Sequence, residues 1–280
     1  MLVKFTKMHG LGNDFVVIDT INQAVQITNK QIKFLADRHL GIGFDQLLIV
    51  AKSTRSDIDF NYRIYNSDGG EVEQCGNGAR CFAQYITEHG LSDKSSFTVA
   101  TSSGLIELII NKTGEDKGLI TVNMGSPVFI PSEIPFISEV KSDRYTILIA
   151  NESYEIGVVS MGNPHAVLLV DDVASAPVNE LGAKIEIADE FPNRVNVGFM
   201  QIIDRRHIRL RVFERGVGET KACGTGACAA VVIGIQRGLL DNEVSAALTG
   251  GDLKITWQDG DQAVMMTGSA TTVYEGQIAL

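Results

Sequence analysis

The chain contains one pattern twice. Cys75 opens the run Cys-Gly-Asn-Gly-Ala, and Cys223, 148 residues later, opens Cys-Gly-Thr-Gly-Ala. At the same spacing Glu71 falls on Glu219, Gly70 on Gly218, Arg63 on Arg211, Ile64-Tyr65 on Val212-Phe213 and Gly90-Leu91 on Gly238-Leu239. With small shifts the match extends to Gly12-Asn13 with Gly162-Asn163, Gly43-Phe44 with Gly198-Phe199, and Gly125-Ser126 with Gly268-Ser269. Chance gives one short match, not an ordered series along both halves. Solenoid repeats have periods of about 20–50 residues, so a repeat this long predicts two copies of one domain related by a pseudo-two-fold. The length of 280 residues agrees with that count.

Segments such as DFVVID, QLLIV, FNYRIYN and IRLRVFE are short, β-branched or aromatic, and partly alternating, so they predict strands. SDGGEVEQCGNG and RGVGETKACGTG predict glycine-rich turns, each leading into a helical run, ARCFAQYITEHG and ACAAVVIGIQRG, that closes on glycine. The second run is apolar throughout Ala227–Ile235, as a buried helix would be. Another helix is expected over Lys30–His39, capped near Thr28/Asn29 and closed by His39. The fold class that follows is α+β: two pseudo-symmetric domains, each a mixed or antiparallel sheet wrapped around a central helix.

The charge balance is 24 basic against 34 acidic side chains, a net −10, which argues against nucleic acid or an anionic membrane as the main partner. No stretch reaches the roughly 18 apolar residues of a membrane span, and Lys4, Thr6, Lys7 and His9 interrupt any leader-like core, so a cytoplasmic location with reduced thiols is expected. The cysteines at 75, 81, 223 and 228 lack the Cys-x2-Cys spacing of a zinc site.

A cysteine on a glycine-rich turn before a helix meets unpaired N–H groups and the positive end of the helix dipole. Such a turn can lower a thiol pKa and hold a carboxylate. Two such turns facing each other would place one thiol on each side of the α-carbon of a bound amino acid. One thiolate would remove the α-proton while the opposite thiol returned one to the other face, and the N–H groups would stabilise the developing enolate-like charge. Cys81 and Cys228, inside the helical runs, are expected to be core residues.

MHGLGNDF (8–15), ADRHLGIGFDQ (36–46), YNSDGGEVEQCGNGARC (65–81), MGNPHAV (161–167), NVGFM (196–200) and FERGVGETKACGTGACA (213–229) resemble the diaminopimelate epimerases, and the resemblance covers essentially the whole chain. Thr225 stands where some members carry serine. The resemblance implies interconversion of LL- and meso-2,6-diaminopimelate without pyridoxal phosphate or metal, for lysine and peptidoglycan synthesis. Cys75 and Cys223 would be the acid/base pair. By family layout the last strand returns to the first domain, giving domains of 1–121 plus 269–280 and of 122–268.

The resemblance also assigns a pocket. Gly76, Asn77, Gly224 and Thr225 would hold the reacting carboxylate. Arg215 would clamp the distal carboxylate and Glu214 an ammonium. Asn13, Gln46, Asn66, Asn163 and Asn196 would supply neutral donors and acceptors suited to a zwitterion. His165 and Glu214 would tune the thiols or orient their protons, and Tyr274 would serve a homodimer contact. The two-base layout alone would serve any amino acid. A racemase for a small cyclic amino acid and a thiol switch therefore stay open, the first distinguished by having no use for a distal clamp.

Overall fold

The computed structural model describes residues 1–72, 75–102 and 104–280; Glu73 and Gln74, within the first glycine-rich segment, and Ser103 lie outside the described residues. Two units form, residues 1–123 with 267–280, and residues 124–266. In chain order the first contains β1 (Leu2–Gly10), β2 (Asn13–Asp19), α1 (Asn29–Ala36), β3 (Gln46–Lys52), β4 (Phe60–Asn66), β5 (Glu71–Val72), α2 (Gly76–Glu88), β6 (Ser96–Thr101), β7 (Gly104–Ile110) and β8 (Ile120–Asn123). The second contains β9 (Tyr145–Ile149), β10 (Glu152–Ser160), β11 (Pro164–Leu169), α3 (Val178–Glu186), β12 (Asn196–Asp204), β13 (His207–Glu214), β14 (Gly218–Thr220), α4 (Gly224–Gln236), β15 (Glu243–Leu248) and β16 (Gly251–Thr256). β17 (Met265–Gly268) runs across the division, and β18 (Thr271–Ala279) belongs to the first unit.

The strands of the two units follow one pairing plan. In the first, β18, β1 and β2 are antiparallel neighbours, β2–β3 is parallel, β3–β4 antiparallel, β4–β6 parallel, and β6, β7 and β8 antiparallel. In the second, β9, β10 and β11 are antiparallel, β11–β12 is parallel, β12–β13 antiparallel, β13–β15 parallel and β15–β16 antiparallel. Both parallel steps recur at the same places. The short β5 and β14 add a hairpin to β4 and β13. β18 covers β1 as β9 covers β10, so the chain's last strand fills a position that unit 2 fills from within.

Register corrects one sequence correspondence. Phe15 pairs with Gln46 and His165 with Asn196, so β3 and β12 are equivalent through Gln46 and Asn196. Gly43-Phe44 precedes β3, whereas Gly198-Phe199 lies inside β12, so that pair of dipeptides is not structurally equivalent. The offset between the copies is 150 at Phe15 and His165 and again at Gln46 and Asn196, so the two dipeptides match by composition alone.

β2, β3, β11 and the first half of β12 are buried on both faces and read as near-continuous buried runs, whereas β7, β9 and β16 bury alternate residues. Val3, Phe5, Val16, Ile18 and Leu47 pack with Ile32 and Leu35 of α1. Val158, Ala166, Leu168, Val197 and Phe199 pack with Val178, Leu181 and Ile185 of α3. On the other face α2 lies against β1, β2, β3, β7, β8 and β18, and α4 against β10, β11, β12, β13, β15 and β16. These are the central helices of the expected α+β class. Both have 13 residues and begin at the glycine after a repeat cysteine. Both end in the same turn: Gly90 and Gly238 have φ of 60° and 69°, and Leu91 N and Leu239 N donate to the carbonyls of Ile86 and Gly234.

α1 is shorter than expected. Thr28 and Gln31 form a capping box at its start, but it stops at Ala36. The Asp37 carboxylate accepts from His39 N and Leu40 N at 2.8 Å each, folding those residues into a turn, so His39 lies beyond the helix rather than closing it.

Candidate active site

Cys75 and Cys223 are the N-cap residues of α2 and α4, both in extended backbone conformation. The first turn of each helix can pack tightly because glycines follow the cysteine. A Cβ on Gly78 would stand 2.4 Å from the Tyr62 hydroxyl, and one on Gly226 would stand 3.0 Å from Val212 Cγ2 and 3.2 Å from Cys223 Sγ. Only glycine lets the first turn approach the sheet this closely, and the chain has it at both places. At Cys75 the sulfur acts as the cap, accepting from Gly78 N at 3.4 Å.

The two thiols differ in setting. Cys75 is half-buried and Cys223 buried. Burial raises the Cys223 pKa well above the usual thiol value, and the neighbouring Glu214 carboxylate raises it further, against hydrogen bonds from Thr225 and Gly226 that lower it. Thr225 Oγ1 stands 3.6 Å from Cys223 Sγ. Cys81 and Cys228 are fully buried core residues, and burial pushes the Cys81 thiol far up.

In unit 1, three expected residues meet: Asn13 Oδ1 stands 3.8 Å from Cys75 Sγ and 3.4 Å from Asn77 Nδ2. Gln46 Nε2 donates to Asn66 Oδ1 at 2.9 Å across β3 and β4. Gly76 is buried in the first turn, its carbonyl 3.4 Å from Arg80 Nη1.

In unit 2, Asn163 Oδ1 lies 3.0 Å from His165 Nε2. His165 is buried at 1% exposure, and burial, helped by the nearby Arg215 charge, lowers its pKa to about 3. The imidazole is therefore neutral at physiological pH and acts through its hydrogen bond rather than as a cation. Asn196 donates to Pro164 O at 3.1 Å and accepts from Arg215 N at 2.9 Å, so its amide ties β12 to the turn after β13. The Arg215 side chain is exposed and donates to Asn193 O at 3.0 Å. Glu214 accepts from the Thr220 hydroxyl. Gly224 is buried at the start of α4. Tyr274 stands apart from these groups, exposed on β18, its ring edge-on to Phe5 at 6.0 Å.

The duplicated frame carries unlike side chains. At the end of β4 the chain has Asn66-Ser67, and 148 residues on it has Glu214-Arg215. Unit 2 therefore presents both an anion and a cation where unit 1 presents neutral groups. The frame itself is braced twice: Arg63 pairs with Glu71 through two bonds of 2.9 Å, and Arg211 with Glu219 through bonds of 2.6 and 2.8 Å. Each brace clamps the hairpin that leads to a cysteine. The repeat alignment paired these four residues without giving them a function. Nothing in the repeat marks Asp45 or Arg80, although both stand inside motifs shared with the diaminopimelate epimerases.

The Diaminopimelate epimerase family model matches residues 5–130 and 157–273. The diaminopimelate epimerase of Nitrosomonas europaea is 57% identical over 280 residues, covering all of both chains. Among solved structures, a Bacillus anthracis phenazine biosynthesis protein of the PhzF family has the same fold, with a TM-score of 0.72 at 18% identity and full coverage of both chains. A hydroxyproline epimerase from Agrobacterium vitis, with bound trans-4-hydroxy-L-proline, has a TM-score of 0.69 at 16% identity, covering 100% of this chain and 93% of its own. With its motifs, its doubled frame and its full-length relatives in agreement, the chain belongs to the diaminopimelate epimerase family.

Proposed function

We propose that the chain interconverts LL- and meso-2,6-diaminopimelate by a two-thiol acid/base mechanism that needs neither pyridoxal phosphate nor a metal, as a step of lysine and peptidoglycan precursor synthesis. The observation that carries this is the pair of cysteine N-caps, each on a glycine-locked first turn. The reacting carboxylate takes the N–H groups of Gly76-Asn77 and Gly224-Thr225. Cys75 and Cys223 address opposite faces of the α-carbon, so proton removal on one side and delivery on the other invert the centre. The high thiol pKa of Cys223 suits it to hold a proton for delivery, and each turnover exchanges the roles.

The charged pair Glu214-Arg215, present in unit 2 and absent from the equivalent position of unit 1, supports a substrate with a second amino-acid head. Arg215 takes the distal carboxylate, Glu214 an ammonium, and Asn13, Gln46, Asn66, Asn163 and Asn196 the remaining polar groups. His165 orients Asn163. The protein works in the cytoplasm as a homodimer with Tyr274 at the contact.

The test is deuterium incorporation at the α-carbon of LL-diaminopimelate in heavy water without added cofactor. Wild type should label and epimerise the substrate. Cys75→Ala and Cys223→Ala should each lose at least about a thousandfold in epimerisation with the fold intact. Near-normal turnover by either variant would refute the two-base scheme, and activity on free proline alone would redirect the substrate assignment.

A further inference from the structure

We infer that a relay of five side chains, Arg38, Asp45, Asn13, Asn77 and Arg80, sets the polarity of the two amides beside Cys75, with Asp45 as the positioning residue that turns the Asn13 carbonyl toward the thiol.

An asparagine amide has two ends of nearly equal shape, and only its partners decide which end faces where. Here both ends of the relay are groups of one polarity. An ionised carboxylate only accepts. Asp45 Oδ1 receives Arg38 Nη2 at 2.8 Å, and Asp45 Oδ2 receives Asn13 Nδ2 at 3.0 Å and Asp14 N at 3.1 Å. Asn13 therefore must spend its NH2 on Asp45, which leaves its carbonyl toward Cys75 Sγ, 3.8 Å away, and Asn77 Nδ2, 3.4 Å away. A guanidinium only donates. Arg80 Nη2 donates to Asn77 Oδ1 at 2.9 Å, so Asn77 must turn its NH2 toward Asn13. The orientation imposed by Asp45 from one side and the one imposed by Arg80 from the other agree at the Asn13–Asn77 contact.

Both anchors are themselves fixed. Arg38 also grips Asp14 through bonds of 3.0 and 2.8 Å, and the Lys7 ammonium donates to Asp14 and to Gly43 O. Arg80 is fully buried and donates to Ser269 O at 3.0 Å. Gly10 makes room for it: a Cβ there would stand 3.1 Å from Asn77 O and 3.3 Å from Arg80 Nη2.

The anchoring residues do not recur at the equivalent positions of unit 2. The positions 150 residues after Lys7, Asp14, Arg38 and Asp45 are Gly157, Pro164, Ala188 and Val195, and the one 148 after Arg80 is Cys228. Asn163, the partner of Asn13 in the repeat, instead has its Oδ1 on His165. The same amide in the two copies is thus oriented by a carboxylate in one and by an imidazole in the other.

The activity readout rests on the proposed epimerase reading; a spectroscopic one does not. Asp45→Ala removes both acceptor oxygens, whereas Asp45→Asn keeps one oxygen for Asn13 and Asp14 N and turns its NH2 toward Arg38, which retains its two bonds to Asp14. Asp45→Ala should lower kcat/KM about tenfold, the scale of one oriented hydrogen bond, with Asp45→Asn within about threefold of wild type. In an Asn13→Ala background, Asp45→Ala should add less than about twofold, because the residue it positions is gone. The Asn13 side-chain NH2 resonance of 15N-labelled protein should shift in Asp45→Ala and stay near its wild-type position in Asp45→Asn. Equal losses in the Ala and Asn variants, or additive losses in the double variant, would overturn the relay. An unmoved Asn13 resonance in Asp45→Ala would overturn it whatever the substrate proves to be, while a shifted resonance in a protein inactive on diaminopimelate would sink the epimerase reading alone.

Discussion

Replacing His165 with phenylalanine should relieve the acid sensitivity of unit 2. The two copies differ here in kind: β2 has Phe15 opposite Gln46, and β11 has His165 opposite Asn196. Burial holds the His165 imidazole neutral down to a pKa of about 3, against 6.5 in the free residue. Between those values the unfolded chain binds a proton that the folded chain refuses, so folding stability falls as pH falls. From about pH 7.5 to about pH 5.5 the unfolded state gains about 1.4 kcal/mol from this residue, while the folded state gains almost nothing. At neutral pH the phenylalanine variant loses the bond to Asn163 and should be about 1–2 kcal/mol less stable than wild type. At the lower pH that gap should narrow by about 1.4 kcal/mol, because the variant has no imidazole to titrate. Trp257, the single tryptophan, is buried in the same unit, so urea unfolding followed by its fluorescence reads the relevant transition. A gap that changes by less than about 0.3 kcal/mol between the two pH values would refute the claim that His165 is buried and neutral.

The two hairpin braces should differ in worth. Arg63 and Glu71 are 55% and 35% exposed against 24% and 21% for Arg211 and Glu219, so Arg211→Met should lower stability by about 1–3 kcal/mol and Arg63→Met by under about 1, measured by denaturant midpoints. Glu214→Gln removes a carboxylate that holds the Cys223 thiol up, so the pH midpoint for alkylation of Cys223, followed by peptide mass spectrometry, should move down; no movement would exclude electrostatic coupling between the two. Gly78→Ala places a methyl against the Tyr62 hydroxyl and should cost about 1–3 kcal/mol and displace the Cys75 turn, lowering kcat more than an equally destabilising change in α1; a neutral effect would show that the turn has slack.

The duplicated frame was legible because it is written in glycines and cysteines, whose positions follow from backbone geometry. The helix starts after Cys75 and Cys223 and the helix stops at Gly90 and Gly238 are local features, and local sequence reports them. α1 ends before its sequence predicts because an aspartate side chain, Asp37, competes for the backbone where helix propensity alone favours continuation. The Gly43-Phe44 correspondence failed because strand register depends on partners distant in sequence. The Asp45 relay was hidden for a related reason: it joins residues 13, 38, 45, 77 and 80, and no spacing marks them as neighbours.

The return of the final strand has a consequence for synthesis. β18 completes the sheet beside β1, and Met1 and Leu280 share two backbone hydrogen bonds. During translation β1 emerges before unit 2, and the edge that β18 covers stays open until Thr271–Ala279 follow. Unit 2 is continuous in sequence and can close while the chain is still attached. The half that bears Cys75 starts before unit 2 and can be completed only after it.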